Sequence, residues 1–482
     1  MLKRFDNKVI YLFIFLQPIL DLVTSIMARS LEVPITLGIL VRSIFMVYIF
    51  IYTVFIYKPK DNLYKFLRLI LIMTVGYAII YLGYNFITKG YQFFMLETKG
   101  LLKTFYFPVV LIGLFILNKK SNINISNKTL TYILMIYTGT IFISTITGTY
   151  FRSYNDYLYG SGSIGWFFAA NEIGSIVAIL TPFTIINFIQ NKFSLVNFIS
   201  IILCVLTCLY MGTKVPFIGF IGSLFIIFIY SIIQSIHFRK KNSYINYKRS
   251  SLCIICIGLI FCTLFYKSPV YKNIEFNYGN IIKNYIDNIK NQSKNIEIED
   301  DAQTKDRSFE ESPNDEINEV KQDNPHINQD GMDALLSNRD TFEKEVRIRF
   351  FNGSVNEKLL GLGYEIVNIR DGVNTDKSIE LDYQDIFYRH GFIGATLYFL
   401  PILIIIVLIL KSLMHNLSKI LDINFFGCIV SLILGLGIAG FAGHVITAPG
   451  VSIYIIIPII MIYNNILYGD DKYENFNNNA KL

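Results

Sequence analysis

Eleven polar side chains stand at the ends of long apolar blocks or in the one long polar segment of this sequence, and their types suit a particular chemistry. Arginine and lysine supply donors to phosphate oxygens, and a carboxylate or imidazole beside them can take a proton from a hydroxyl. We therefore expect a site that holds a diphosphate next to a general base. The eleven residues are Arg152, Asn171, Glu172, Lys214, Arg339, Arg347, Glu380, Asp382, Asp385, His390 and His444.

Each of these residues also has a purely structural interpretation. Arg152 and Lys214 could anchor helix ends by reaching towards a membrane surface, and Glu172 could be a neutral, hydrogen-bonded packing carboxyl. One of the arginines in 339–349 could belong only to a solvated helix face, and the two histidines could be satisfied interface residues. A site is favoured because the residues come from several separate segments on one expected side of the protein.

The apolar blocks between these residues are typical of an integral membrane protein. Of 482 residues, 53% are hydrophobic and 16% charged, with a mean hydropathy of +0.46; a soluble domain carries about a quarter charged residues. Blocks of about 18–22 residues match the length of a membrane-spanning helix. The sequence predicts an all-α polytopic membrane protein with about twelve spans, at 9–28, 35–57, 66–86, 100–117, 129–147, 164–189, 194–211, 215–236, 251–267, 386–410, 424–442 and 450–468.

The distribution of lysine and arginine predicts the orientation of these helices. With the N-terminus inside, the connections on the cytoplasmic side hold 20 Lys and Arg residues and the short outer loops hold five. The more basic side of a membrane protein faces the cytoplasm. We predict a multi-pass protein of the cytoplasmic (inner) membrane with both termini inside. The net charge of +7 has this origin and does not indicate nucleic-acid binding.

One large extracytoplasmic loop is predicted between the ninth and tenth helices, at 268–385. It separates nine helices in 1–267 from three helices and a cytoplasmic tail in 386–482. Residues 296–333 carry thirteen acids against three bases. Such a stretch buries too little apolar surface to offset its ordering entropy, so we expect it to be disordered.

The part of the loop that follows the acidic stretch has a different pattern. Phe342, Val346, Phe350 and Phe351 recur at helical spacing, which predicts an amphipathic helix with the loop arginines on or near its polar side. Gly361 and Gly363 predict a turn. No internal repeat is evident, which argues against the inverted-repeat transporters.

Several short motifs stand in a fixed order along the chain. They are Gly165-Trp-Phe-Phe-Ala-Ala-Asn171-Glu172-Ile-Gly174, Gly212-Thr-Lys214, Ser337-Asn-Arg339, Gly361-Leu-Gly363-Tyr364, and Glu380-Leu-Asp382-Tyr-Gln-Asp385 followed by Gly391-Phe-Ile-Gly394. Together they resemble the O-antigen ligase and O-antigen polymerase superfamily. The resemblance covers most of the chain, including the helix number and the large loop before the last three helices. The order and spacing of the motifs are more specific than any one of them.

This resemblance implies a GT-C-type glycosyltransferase that needs no metal or other cofactor. Its donor would be a polyprenyl-diphosphate-linked oligosaccharide and its acceptor a sugar hydroxyl, on the outer face. Arg339 fits the arginine of the superfamily's loop and would stabilise the leaving diphosphate. Glu380 lies eleven residues before Gly391, where ligases of the superfamily have a histidine. This departure weakens a ligase assignment and makes Glu380 the candidate base. Lys214 stands where many members have arginine.

The function expected from these features is polymerisation of lipid-linked repeat units into a surface polysaccharide such as a capsule or exopolysaccharide. A ligase that transfers a finished glycan to a lipid or wall acceptor is the alternative within the superfamily. A flippase or other transporter of lipid-linked oligosaccharide is the alternative from another class, but it needs charges along a central cavity. A receptor is disfavoured because no cytoplasmic output domain is evident. Membrane lipid, a chain-length regulator and a flippase are the expected partners; the sugar and its linkage stay open.

Overall fold

The computed structural model describes most of the membrane-embedded sequence and part of the long loop. The acidic stretch 296–333, which the sequence predicts to be disordered, lies outside the described residues. These are residues 2–31, 33, 35–154, 161–190, 194–237, 247–276, 279, 339–367, 369–370, 373–374, 379–415 and 421–479.

Helices make up nearly all of the described chain. They are α1 Leu2–Ser30, α2 Leu37–Ile51, α3 Asn62–Lys89, α4 Phe94–Ser121, α5 Asn127–Ile146, α6 Ala170–Gln190, α7 Leu195–Tyr210, α8 Lys214–His237, α9 Tyr247–Phe265, α10 Pro269–Phe276, α11 Arg339–Asn352, α12 Val355–Leu360, α13 Gly363–Val367, α14 Asp382–His415, α15 Ile423–Phe441 and α16 Pro449–Asn479. A π-helical turn, Tyr52–Ile56, extends α2. Two antiparallel hairpins pair β1 Phe151–Arg152 with β2 Ser163–Gly165, and β3 Ile369–Arg370 with β4 Val373–Asn374.

The expected all-α polytopic membrane fold is confirmed. Ten helices among the described residues are long and apolar enough to cross a membrane, and α9 with α10, bent by 62°, makes an eleventh if the pair is one broken span. The remaining apolar helix, α7, has 16 residues. Each of the twelve predicted spans thus coincides with a helix, α1–α9 and α14–α16. The number that actually cross the bilayer stays a prediction.

Three helices form the centre of the bundle. The buried share of the apolar stretch is 83% in α4, 94% in α6 and 78% in α16, but only 33% in α3. Helices that are apolar all round either pack inside the bundle or face lipid on their outer side. A second, smaller core with Val346, Phe350 and Tyr388 joins the loop helices to α14.

The bundle has two ends with different contacts. We call the end that carries α10–α13 the loop end and the other the opposite end. At the opposite end, neutral side chains make several of the contacts between helices. The Tyr64 and Tyr463 hydroxyls lie 2.6 Å apart, and the Asn118 amide donates to Asn464 Oδ1 at 2.7 Å.

The structure corrects the predicted start of the sixth helix. The sixth begins at Ala170 rather than at 164, because 163–165 pair with β1 and Gly165 has a positive φ of 66°. Asn171 and Glu172 therefore lie in the first turn of α6, not two turns into it. The predicted amphipathic loop helix is confirmed as α11, with Phe350 fully buried.

Candidate functional site

Tyr364 docks the loop helices onto the transmembrane bundle. Its hydroxyl lies 2.7 Å from Gly100 O, 2.5 Å from Thr104 Oγ1 and 3.0 Å from His390 Nε2. A Cβ at Gly100 would meet the Tyr364 ring at 2.5 Å, so the glycine allows the ring to lie against α4. Burial raises the pKa of the Tyr364 hydroxyl above its ordinary value, which keeps it protonated and able to donate at neutral pH.

Glu97 and Lys89 form a buried ion pair beside Tyr364. Their charged atoms lie 2.7 Å apart, and Glu97 is 1% exposed. The Glu97 carboxylate also accepts the Tyr364 amide at 3.0 Å and the Glu365 amide at 3.1 Å, which are free donors because they open a helix. Lys89 Nζ donates to Leu362 O at 2.7 Å. One ion pair thus holds the ends of α3 and α4 to the start of α13.

Arg389 is a second buried cation in the same network. It lies on α14, is 3% exposed, and its Nε donates to Asp385 Oδ1 at 2.6 Å. The guanidinium carbon lies 4.5 Å from the centre of the Tyr364 ring. Asp385 and His390, both predicted as substrate contacts, therefore meet around Tyr364. His390 is fully buried, so its contacts in this structure are positioning contacts within the protein.

Asp382 fastens the connection between α15 and α16. Its carboxylate accepts the amides of His444 at 2.7 Å and of Val445 and Ile446 at 2.8 Å. It also accepts the Thr447 hydroxyl at 2.7 Å and is only 2% exposed. These four bonds occupy the carboxylate. In this structure Asp382 therefore holds the 444–447 connection in place, and its predicted substrate-binding role stays a prediction.

Glu380 and His444 are brought close together by their backbones. A Cβ at Gly443 would lie 2.5 Å from the Glu380 carbonyl, so the two segments are in direct contact. Glu380 has φ +54° and His444 has φ +58°, in a region that side chains other than glycine rarely adopt. Both residues are half-buried. Such strain persists only where the surrounding structure imposes it, and it clusters at functional sites.

The starts of α6 and α8 form a second group at the loop end. Glu172 Oε1 lies 3.9 Å from Lys103 Nζ, with both side chains partly exposed. A Cβ at Gly174 would lie 2.9 Å from Pro216 Cδ, which shows how closely the two helix starts approach. Asn171 and Lys214, both half-buried, therefore lie on neighbouring helix starts.

Asn273 on α10 fixes the backbone just before Lys214. Its Nδ2 donates to Ser161 O at 2.6 Å and to Gly212 O at 2.8 Å, while its Oδ1 accepts the Ser161 amide at 2.8 Å. The side chain thus joins the β1–β2 hairpin to the break between α7 and α8. Arg152 lies on β1 of this hairpin and is exposed.

The loop arginines belong to α11, which packs against α14. Arg339 is its first residue. Arg347 lies 3.8 Å from Glu343 and its side chain is 48% exposed. Tyr388 on α14 donates a hydrogen bond to the Glu343 carboxylate. Arg347 is therefore oriented near α14 and remains accessible from solvent.

Sequence reasoning missed several charged residues as members of the site. Glu97 was missed because the fourth helix was predicted to begin at 100, whereas α4 begins at Phe94. Arg389 is not among the eleven candidate residues, although it directly precedes His390 in the sequence. Asp21 and Arg42, 2.5 Å apart, form a further, largely buried ion pair inside two predicted spans, and it shares none of the contacts described above. A charge inside an apolar block is costly, and this signal was present in the sequence.

The comparisons with known proteins give one result for the whole chain. The sequence model of a family described as O-antigen ligase like membrane protein matches residues 3–467. No curated protein and no solved structure matches. The matched range includes every candidate site residue described above. Among the described residues, no three His, Cys, Asp or Glu side chains are grouped in a way that could hold a metal ion.

Proposed function

Because this chain belongs to the O-antigen ligase like membrane proteins, we propose that it polymerises polyprenyl-diphosphate-linked repeat units into a surface polysaccharide. The family indicates a membrane glycan-processing enzyme. The observation that carries the polymerase proposal is Glu380, an acid where ligases of the superfamily have a histidine. It stands in a strained backbone beside His444 at the loop end.

The proposed reaction transfers the growing chain to the non-reducing end of a new repeat unit. The acceptor hydroxyl oxygen bonds to the anomeric carbon as the bond from that carbon to the diphosphate breaks. Glu380 receives the hydroxyl proton, a role that contributes about 10²–10⁴ in rate when the base lies within hydrogen-bond reach. Polyprenyl diphosphate leaves with the negative charge that the bond electrons bring to it.

Cations at the loop end are the proposed diphosphate ligands. Arg339 would hold the leaving group, with Arg347, Arg152 and Lys214 as further donors. Preorganised donors aimed at developing charge are typically worth about 10²–10³ in rate each. We propose that the arginines do this without a divalent metal, so that a chelator leaves the rate unchanged.

The buried network around Tyr364 has a supporting role in this proposal. It ties α12 and α13 to α3, α4 and α14 through Glu97 and Arg389. Catalytic groups must be held to within a fraction of an ångström, and buried hydrogen bonds behind them provide that precision. The network therefore supports the short segment from which Glu380 projects.

Reconstitution of the purified protein into liposomes tests the proposal. With a polyprenyl-diphosphate-linked repeat unit as sole substrate, we expect a ladder of longer lipid-linked glycans. A ligase makes no ladder and transfers glycan only when a separate acceptor is added. A transporter moves intact donor across the bilayer and forms no glycosidic bond. Either of the last two results contradicts the polymerase proposal. A chain-length regulator added to the liposomes should change the ladder's length.

The proposal also requires an orientation. We propose that the protein lies in the cytoplasmic membrane with both termini inside and 268–385 outside, where the donor is presented. Reporter fusions at 120 and 245 should report cytoplasm, and fusions at 155 and 310 the outside. A cytoplasmic signal at 310 would place the loop away from the donor and overturn the mechanism.

A further inference from the structure

An apolar groove of about 490 Å³ opens between α8 and α9. Its lining carries no charged side chain, and its polar groups are limited to the Tyr266 hydroxyl and the Cys262 thiol. The groove belongs to none of the networks described above. It is large enough to hold a flexible apolar chain, and Phe217 at one of its ends lies three residues after the candidate residue Lys214.

The wall of the groove is unusually aromatic. Phe217 on α8 packs against Phe265 and Phe261 on α9, with ring centres 5.4 and 5.7 Å apart. On α8 the lining runs from Phe217 to Phe228. Eleven residues of helix span about 16 Å, roughly half the thickness of a bilayer's hydrocarbon core. The groove therefore runs from the loop end to near mid-membrane.

A cation stands above the loop end of the groove. Lys214 is the first residue of α8 and precedes Phe217 by three positions, which is about one helical turn. Asn273 fixes the backbone directly before it through Gly212. The arrangement suits an amphiphile with an anionic head at the membrane surface and one long apolar tail below it.

We propose that this groove holds the polyprenyl tail of the lipid-linked donor, with the diphosphate at Lys214. The inference rests on the proposed function, from which the identity of the donor comes. A polyprenyl carrier has a single tail, which suits a groove between only two helices, whereas a phospholipid must place two. The unsaturated isoprene units pack flat against the aromatic rings of the wall.

Gly258 offers a way to fill the groove without disturbing the fold. It lines the groove, and a Cβ added there meets no atom within 4 Å. Gly83 on α3 is a matched control, since an added Cβ there also meets nothing within 4 Å. Gly258 lies seven residues before the end of α9 and Gly83 six before the end of α3, so their depths are similar.

The first test measures binding with a photoreactive polyprenyl diphosphate that carries no sugar. In wild-type protein in liposomes, we expect crosslinks to α8 and α9 that excess unlabelled polyprenyl diphosphate removes. Gly258→Phe should lower the yield of these crosslinks about tenfold or more, which is the loss expected when about two methylenes of the tail are no longer buried. Gly83→Phe should keep the wild-type yield. Equal labelling by a photoreactive phospholipid, without competition by polyprenyl diphosphate, would show that the groove takes bulk lipid only and overturn the inference.

The second test measures glycan transfer with long- and short-tailed donors. Gly258→Phe should raise the KM for the long-tailed donor about tenfold and leave the short-tailed donor unaffected, since only the long tail reaches the filled part. If Gly258→Phe folds poorly, Ile255→Trp on the same wall replaces it. Wild-type kinetics with the long-tailed donor would sink the groove assignment and leave the proposed function standing. Crosslinking of the tail in a protein that makes no polymer would support the groove assignment and contradict the proposed function.

Discussion

The loop end and the opposite end of the bundle join their helices with different chemistry. At the loop end, the buried Lys89–Glu97 ion pair joins α3 to α4 at 2.7 Å, and the buried Arg389–Asp385 pair, 2.6 Å long, lies within α14 beside the Tyr364 ring. At the opposite end, amides and hydroxyls make several of the contacts between helices, and the Lys119–Asp61 pair there is exposed and 4.0 Å long. Burying charge costs several kcal/mol per ion before pairing. The fold accepts that cost at the end that carries the candidate site.

The backbone differs between the two ends in the same direction. All nine described glycines with positive φ lie at the loop end, as do Glu380 and His444, while Asn122 is the one described residue with positive φ at the opposite end. At Gly361, a Cβ would lie 2.1 Å from the Arg389 carbonyl oxygen, so only glycine fits. The loop end thus allows close approach and exact placement of groups, and the opposite end only connects the helices.

Glu380→Gln should give the largest functional loss. It keeps size and hydrogen bonding but removes the proposed base, so the rate of polymer formation should fall about 10²–10⁴-fold. Asp422→Asn is the control, because Asp422 caps α15 at the opposite end. Turnover in liposomes measures both. A fully active Glu380→Gln protein would mean that the motif position identifies the wrong group and that the loop end needs no base there.

Arg339→Ala should lower the rate about 10²–10³-fold, because the leaving diphosphate loses one preorganised donor. Arg349→Ala on the same helix, an exposed residue, should have a milder effect. Initial rates under donor saturation separate the two. Strict dependence of the wild-type rate on a divalent metal would contradict this mechanism, since the metal would then carry the charge assigned to Arg339.

Lys89→Met should lower the free energy of unfolding by about 3–5 kcal/mol, because it leaves Glu97 buried without its cation. Tyr64→Phe removes one neutral hydrogen bond at the opposite end and should cost about 1 kcal/mol. Reversible denaturant unfolding in detergent compares the two. Equal losses would remove the energetic distinction between the ends.

Deletion of residues 296–330 should have the smallest effect. The stretch is acidic and poor in apolar residues, so no packed core depends on it. Polymer yield from the deleted protein, corrected for its amount in the membrane, should match wild type. Loss of polymer at normal protein levels would show that residues 296–330 are needed for function.

The architecture could be predicted from the sequence because lipid imposes a simple rule. An apolar run long enough to cross a bilayer must be a helix, and every predicted span coincides with one. The starts of α4 and α6 could not be predicted as well. Apolar residues near the membrane surface fit a helix or a hairpin equally, and only the pairing of Ser163 with Arg152 decides between them.

The candidate site was predictable only in part. Segment order placed Asp385 and His390 near the loop glycines, and the structure connects His390 to Tyr364 directly and Asp385 to it through Arg389. Roles were harder to predict, because a role depends on which groups face a side chain. Asp382 is an example: the four donors from 444–447 that occupy it lie more than sixty residues away in sequence. No local sequence pattern predicts such a contact.

The Lys89–Glu97 pair has a consequence for the membrane insertion of the chain during its synthesis. The amide of Tyr364 that Glu97 accepts lies 267 residues further along the chain. At about 5–20 residues per second, synthesis of that stretch takes roughly 13–53 seconds. During this interval Glu97 has to rest in the membrane without its final partner, and Lys89, eight residues earlier, is already there to neutralise it. We expect pulse-labelled Lys89→Met chains to be degraded within this window, before α14 has emerged.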